Sequence, residues 1–478
     1  MLTLELHGNI LTASSFHPCM KAPLTATRMK KRPWNMRGGK SKSNFIFEKI
    51  PLYDSTAEGG IFTHAGLWPS LCEALREAGV AYTVNDYRSP LPEPVFDNVG
   101  PLRTHQPEVL ATICSSYMGI VDCATGMGKT YMIEQLCHIY PSLKILVVSG
   151  SRPVVNSIYD RICRSCPTAK VSKHSGSHRF LEESDVCVST VGVLYKIPPE
   201  WPDLLIYDEA HEAGSERAVT AVLSFSACRR FGFSASPTGR SDRADKFVEA
   251  LFGPTIAEVG YQDAEAAGLV VPIECRMISV SEHRPLTASS DIGKKKEGYW
   301  QNPWRNDLIA RSAKAFRDEQ VLIFVEKTEH ALRLKQRLPE YEVVHGGVSD
   351  MYWQTFVDLG IVDPAQLDLK SPDADDIRKR FENGTLRKAI CTTCWNKGVD
   401  FPELSVLIRG DGQTSSIPCT QIVGRLARTT DDKAKGILVD FQDNFDPWCI
   451  ARSEKRRNEY EKKGWRIRDG WVPPYPEP

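Results

Sequence analysis

No apolar run in this 478-residue chain approaches the roughly eighteen residues of a membrane-spanning helix, so no membrane partner is expected. Its opening residues, Met1-Leu-Thr-Leu-Glu-Leu-His7, hold no basic stretch ahead of an apolar core. A secretory signal is therefore not expected, and an intracellular location is. Acidic side chains are missing from residues 6 to 47, a weak transit-peptide feature, but the proline and glycine content there reads better as a folded basic domain. Net charge is missing too: Lys plus Arg and Asp plus Glu each number 60, so any attraction to nucleic acid has to come from local patches. No short-period repeat or low-complexity tract is present.

What is there belongs to a soluble, ordered protein, with 41% hydrophobic and 25% charged residues. The length suggests three or four domains. Fourteen cysteines are spread along a chain without a signal peptide, which points to reduced thiols. Two CxxC pairs, Cys163 with Cys166 and Cys391 with Cys394, could be read as a zinc site. They lie far apart in sequence, and the second falls in a strand-like run leading to a motor motif.

Two basic clusters stand out. Residues 21 to 49 carry nine basic side chains and one acid, with Trp34, Phe45 and Phe47 among them; residues 452 to 468 carry eight basic and three acidic, with Trp465. Either could be a solvated face or a nucleic-acid patch.

Residues 1–95, with short β-like runs and a helical stretch from Trp68 to Ala78, form a first unit, expected to bind nucleic acid. Pro90, Pro92 and Pro94 then mark a linker. From 96 to 278 strand-like runs alternate with helical ones, among them Lys144-Ile-Leu-Val-Val and Leu204-Leu-Ile-Tyr. That alternation implies a parallel sheet with crossover helices. A polar linker at 279–304, a second alternating block at 305–445 and a basic tail at 446–478 complete the expected organisation.

The strongest chemical signal is Cys123-Ala-Thr125-Gly126-Met127-Gly128-Lys129-Thr130, between the apolar Gly119-Ile-Val and a helical face of Met132, Ile133, Leu136 and Tyr140. Strand, glycine loop and helix are the context a phosphate cradle needs. Backbone N–H groups and the helix N-terminus favour phosphate, Lys129 adds a cation, and the Thr130 hydroxyl can ligate Mg²⁺. Cys123 replaces the usual first glycine. Asp208, at the end of Leu204-Leu-Ile-Tyr, opens Asp208-Glu209-Ala210-His211. A carboxylate there can hold Mg²⁺ while Glu209 orients the attacking water; the bland reading is a surface helix cap. Gln421-Ile-Val-Gly-Arg425-Leu-Ala-Arg428 sets two arginines on one helix face, either solvated or acting as arginine fingers.

Together these residues resemble superfamily 2 helicases from Leu102 to Gln442. The resemblance implies two RecA-like parallel-sheet P-loop lobes with a small α+β N-terminal domain. It makes Arg103 and Gln106 an adenine-recognition element and adds Gly398 and Asp400 to the nucleotide contacts. It carries Gln421, Arg425 and Arg428 over as catalytic beside Lys129, Asp208 and Glu209, with ATP and Mg²⁺ as cofactors. Ser149 to Val155 looks like motif Ia, Ser189-Thr190 like motif Ib, Ser234-Ala-Ser236 like motif III and Val321 to Glu326 like motif IV. Nucleic-acid contacts are expected at Lys30, Lys31, Arg32, Trp34, Arg152, Thr190 and Thr393. Within the superfamily the branch of UvsW-type phage helicases and XPB fits best: Arg305-Asn306 and the region from Arg32 to Ala78 are similar to it. Met351 to Asp373 is an insertion without an assigned role.

The expected activity is an ATP-dependent DNA helicase or translocase acting on duplex, forked or branched DNA in recombination, repair or replication. An RNA helicase, and a nucleic-acid-binding scaffold with a weak ATPase, are the alternatives. Intact Lys129, Glu209, Arg425 and Arg428 argue against the scaffold. No feature points to a particular protein partner.

Overall fold

The computed structural model describes residues 2–31, 45–225, 228–235, 244–281, 284–395, 401–414, 423–429 and 433–474, with Lys31 and Phe45 by backbone alone. It divides into two compact units, Met1–Val259 and Gly260–Pro478.

The first unit is built on a seven-stranded sheet in the spatial order Val171–His174, Val186–Thr190, Ile145–Ser149, Leu204–Asp208, Arg229–Ser234, Met118–Cys123, Thr255–Val259. Every pairing in it is parallel. Ile145–Ser149, Leu204–Asp208 and Arg229–Ser234 are buried along their whole length, which is why they read as unbroken apolar runs rather than alternating ones. A parallel sheet gathers all its strand C-termini on one edge. The chain leaves that edge after Cys123, Ser149, Thr190, Asp208 and Ser234, and there ligands bind in such sheets.

Residues 2–86 add a five-stranded mixed sheet in the order Tyr53–Ser55, Ile61–His64, Ile10–Ala13, Leu2–His7, Tyr82–Asp86, with the expected helix at Trp68–Glu77. The strand expected at Phe45 runs to Pro51 and pairs antiparallel with Thr25–Lys31, Arg28 opposite Glu48. This domain is not hung on a free linker. Its core residues Leu4, Leu6, Leu71 and Leu75 form one cluster with Met118, Phe247 and Ala250 of the motor sheet and its helix. Gly66 lies so close to the carbonyls at the end of helix Asp245–Phe252 that a Cβ there would sit 2.6 Å from Ala250 O. Asn9 Nδ2 donates to Phe225 O at 3.3 Å and Cys228 O at 2.7 Å.

The second unit repeats the plan: seven parallel strands in the order Glu342–Val344, Lys388–Cys391, Val321–Phe324, Val406–Arg409, Gly436–Asp443, Ile273–Val280, Arg466–Arg468. Two parallel-sheet lobes with a small mixed-sheet domain are the expected fold class.

Three segments depart from the sequence reading. Ile273–Val280, assigned by sequence largely to the end of the first lobe, pairs through all its residues with Gly436–Asp443 of the second sheet and with Arg466–Arg468 on its other side, partners that lie too far along the chain for a local pattern to show. The segment expected as a polar linker carries regular structure over part of its length: helical turns run from Asp291 to Trp300, capped by the Ser290 hydroxyl, and Tyr299 and Trp300 are buried in the second core. The basic tail is structural. Helix Pro447–Lys462 buries Arg456 completely, its guanidinium 2.9 Å from Asp440 and 3.5 Å from Asp443. The Met351–Asp373 insertion contains a helix, Asp350–Asp358, and buries Trp353, Phe356, Ile361, Val362 and Leu369 in the same core.

No helix among the described residues is long and apolar enough to cross a membrane.

Candidate nucleotide site

Strand Met118–Cys123 ends in the loop Ala124–Gly128, and helix Lys129–Ile139 begins directly after it. Gly126 and Gly128 have φ of 96° and 80°, a region that only glycine enters freely, and this turns the loop's N–H groups around the helix N-terminus. Cys123, in the place of the usual first glycine, is fully buried, and burial pushes its thiol up to about 12. It is inert packing under the loop.

The loop is held from behind by the segment expected to recognise adenine. Gln106, 1% exposed, donates from Nε2 to Met127 O at 3.2 Å and accepts from Arg103 N at 2.9 Å. Arg103 Nη1 donates to Gly126 O at 3.2 Å. His105 Nε2 lies 3.0 Å from Met127 O, a contact the sequence reading missed. Each of these side chains bonds a loop carbonyl, so together they clamp the phosphate loop from behind.

Lys129 Nζ donates to Cys123 O at 3.4 Å and lies 3.9 Å from Glu209 Oε1. The sheet thus brings the loop lysine and the acidic tetrad together on its C-terminal edge, as their strand positions require. Asp208 is buried, and Oδ1 has no hydrogen-bond partner among the described residues. Burial first and the neighbouring Glu209 second push its carboxyl up to about 7, against the pull of Lys129. Glu209 adopts φ 58°, the one positive value outside glycine among the described residues. Such backbone strain is concentrated at functional sites. His211 Nδ1 is 3.4 Å from Glu209 Oε2 and 3.0 Å from Ser234 Oγ. Strand Arg229–Ser234 approaches closely enough that a Cβ on Gly232 would lie 2.7 Å from Ala210 Cβ.

Thr130 opens the helix half-buried. An all-oxygen pair, the Thr130 hydroxyl and the unpartnered Asp208 oxygen, suits Mg²⁺, which takes few protein ligands beside phosphate. No cluster of three or more metal-ligating side chains exists among the described residues, and a P-loop magnesium site needs none.

Thr190 ends its strand beside Ser149, and Arg152 is exposed in the first turn of helix Arg152–Ser165. Both therefore lie along the edge that carries the phosphate loop. Lys30 is half-exposed and bound to Glu48 at 2.6 Å across the hairpin. Lys31 is described by backbone alone, and Arg32, Trp34, Gly398, Asp400 and Gln421 lie outside the described residues.

In the second unit Thr393 is exposed just after strand Lys388–Cys391. The arginine pair differs from the helix expected. Leu426 N donates to Val423 O at 2.9 Å and Ala427 N to Gly424 O at 3.3 Å, so the described residues 423–427 form tight i to i+3 turns. Arg425 is buried, donates to Trp395 O and lies 5.8 Å from the Phe401 ring centroid. Arg428 is half-buried.

A phosphate loop with its lysine beside an Asp-Glu pair, on one of two parallel-sheet lobes, defines a nucleotide-driven motor. The model for the type III restriction enzyme res subunit matches residues 100–239, and that for the helicase conserved C-terminal domain matches residues 305–430. The chain belongs to the superfamily 2 helicases and is a nucleic-acid-dependent ATPase of that class.

The XPB-like resemblance is met by the DNA 3'-5' translocase XPB2 of Sulfurisphaera tokodaii, 21% identical over 77% of this chain and 87% of that one. A protein of African swine fever virus that carries the name of an ATP-dependent RNA helicase is 24% identical over 72% of this chain and 68% of its own. A helicase of Sulfolobus islandicus filamentous virus is 23% identical over 55% of this chain, which spans 46% of that relative. Among solved structures, a fragment of an HsdR subunit of a type I restriction enzyme from Vibrio vulnificus superposes with a TM-score of 0.55 at 15% identity, over 93% of this chain and 91% of that one.

Proposed function

We propose that the chain is a DNA helicase or translocase that couples ATP hydrolysis to remodelling duplex, forked or branched DNA in recombination, repair or replication. The observation that carries the hydrolytic part is Lys129 Nζ lying 3.9 Å from Glu209, next to a buried Asp208 with an unpartnered oxygen. Lys129 and the loop N–H groups bind the β and γ phosphates, and Glu209 orients water for in-line attack. Thr130 and Asp208 would hold Mg²⁺, which when bound neutralises charge on the phosphates. Arg425 and Arg428 stabilise charge on the transferred phosphoryl group, and Gln421 is assigned to catalysis with them; Arg103 and Gln106 keep the phosphate loop in shape and recognise the base, and Gly398 and Asp400 complete the nucleotide contacts.

Support for DNA comes from the likeness to a DNA translocase, which extends over most of both chains, and from the basic hairpin built into the first lobe. Lys30, Lys31 and Arg32 bind phosphate, Trp34 stacks on an unpaired base, and Arg152, Thr190 and Thr393 track the strand. A second reading, an RNA helicase, draws on the name of the viral relative. ATPase rates without nucleic acid and with single-stranded DNA, forked DNA and RNA separate the two. Stimulation by RNA alone overturns the DNA reading.

A further inference from the structure

We propose that Arg28 is a positioning residue that connects the basic hairpin to the Asp208–Glu209 turn, so that nucleic acid on the hairpin sets the rate of ATP hydrolysis. The inference rests on the reading of the hairpin as a nucleic-acid contact.

Along strand Thr25–Lys31 one face passes from core to surface. Ala26 is fully buried, the Arg28 side chain is 11% exposed and the Lys30 side chain 45%. The strand is thus anchored in the core at its base and reaches the surface where the basic residues lie, paired along its length with Phe45–Pro51. Arg28 is not itself placed to meet nucleic acid. Its guanidinium lies 4.1 Å from the Phe247 ring centroid, donates from Nη2 to Gly214 O at 3.2 Å and approaches Glu216 at 3.6 Å. Glu216 is largely exposed, so the carbonyl bond and the ring contact dominate.

Gly214 is the last residue of the short 3₁₀ helix Ala210–Gly214, which starts directly after Glu209. That turn is closed by Glu212 N donating to Glu209 O at 2.9 Å and Ser215 N to Glu212 O at 3.3 Å. Helix Glu216–Leu223 follows, and Arg217 donates to Gly192 O at 2.7 Å in the turn after Thr190. Arg28 therefore grips the segment whose one end is the strained Glu209 and whose other end contacts the Thr190 turn. A shift of the hairpin moves Gly214 O, and the short hydrogen-bonded 3₁₀ helix between them passes that shift to the Glu209 backbone.

The test uses full-length Arg28→Met, which keeps the aliphatic stem over Phe247 and removes the donors, and Arg28→Lys, which restores one. Basal ATPase, stimulated kcat, the nucleic-acid concentration for half-activation and thermal midpoint are measured with forked DNA and with single-stranded RNA, taking the better activator. The expected result for Arg28→Met is unchanged basal rate, half-activation and melting, with stimulated kcat lowered about ten-fold, the scale of one charge-assisted hydrogen bond. Arg28→Lys should recover most of it. Full stimulation of Arg28→Met overturns the coupling role alone. Equal loss of basal and stimulated rates with a lower melting point makes Arg28 a structural brace and also overturns it. A wild type stimulated by neither nucleic acid overturns both this inference and the functional reading beneath it.

Discussion

His211 Nδ1 and Ser234 Oγ lie 3.0 Å apart and both residues are buried, joining the turn after Glu209 to the end of the neighbouring strand. Ser234 is also the first residue of the segment that resembles motif III of the superfamily, whose role there is to link hydrolysis with nucleic-acid contacts, so the pair is a candidate for that link. Ser234→Ala is expected to leave ATP affinity within two-fold while lowering nucleic-acid-stimulated turnover by roughly five-fold, the weight of one buried hydrogen bond. Stimulated ATPase assays together with nucleotide binding check it; an unchanged stimulation would place the coupling elsewhere.

Lys129→Ala and Glu209→Gln should fail differently. The lysine variant loses the cation against phosphate, so binding and turnover both fall, the latter by about 10²-fold or more. Glu209→Gln keeps Asp208 and the loop, so ATP binds while hydrolysis slows by about 10²-fold. Binding of a fluorescent ATP analogue beside single-turnover hydrolysis distinguishes them. Equal loss of binding in both removes the separation of roles.

These residues were legible in the sequence because each motif is local: a glycine loop after an apolar strand, or a carboxylate at the end of a buried run. The inner strands were legible for a related reason, since burial on both faces leaves runs such as Leu204-Leu-Ile-Tyr without polar interruptions. Edge strands Val171–His174 and Arg466–Arg468 carry no such run and were not read. Nor could local pattern reveal partners distant in sequence. Gln106 on Met127, Arg28 on Gly214 and Arg456 on Asp440 exist only once the sheets are assembled, and Arg456 looked like part of a solvated basic tail until its carboxylates closed around it.

Asp208 carries a pH signature. Its folded pKa of about 7 lies above the ordinary carboxylate value near ~3.9, so the fold disfavours its ionised form. Its ionisation therefore costs stability progressively as pH rises from about 4 to 7, and the cost is constant above. Asp208→Asn removes that cost. Without nucleotide or metal, the variant should melt higher than wild type at pH 8 and show a shrinking advantage toward pH 4, while hydrolysis is lost. A difference in melting temperature that does not vary with pH would show that Asp208 is not held protonated by burial.

In the second lobe, burial opposes ionisation of Asp440, yet Arg456, Arg409 and the hydrogen bonds from Arg456 and Tyr460 together hold its carboxyl below the usual range. Arg409 in turn bonds Asp411 and Gln413 O, fixing the chain ahead of the arginine motif. Arg456→Met leaves Asp440 and Asp443 short of a cation and should cost about 3–5 kcal/mol in denaturant unfolding of this lobe. Adding Asp440→Asn to Arg456→Met should recover part of that loss. A neutral single variant would mean the cluster contributes no net stability.

Deleting residues 1–95 tests whether the N-terminal domain is a removable accessory. By sequence alone the motor lobes look self-sufficient, and such a truncation keeps its stimulated ATPase. The shared core argues otherwise: Met118, Phe247 and Ala250 would lose their cover from Leu4, Leu71 and Leu75, and the carbonyls of Phe225 and Cys228 would lose their bonds from Asn9. The truncated chain should melt lower and aggregate, because a newly bared apolar patch on a motor lobe associates with its copies. A drop in DNA affinity in that truncation would therefore say little about which side chains touch DNA. Charge reversal at Lys31 and Arg32 is the cleaner variant, since Lys30 already answers to Glu48 at 2.6 Å and its reversal would set two glutamates side by side. Lys31→Glu with Arg32→Glu should melt like wild type, bind forked DNA more weakly, and show a shallower dependence of log affinity on log salt, by nearly one unit for each phosphate that is no longer neutralised. Wild-type affinity and an unchanged salt slope would leave the hairpin as a brace for the first lobe and remove it from the DNA path.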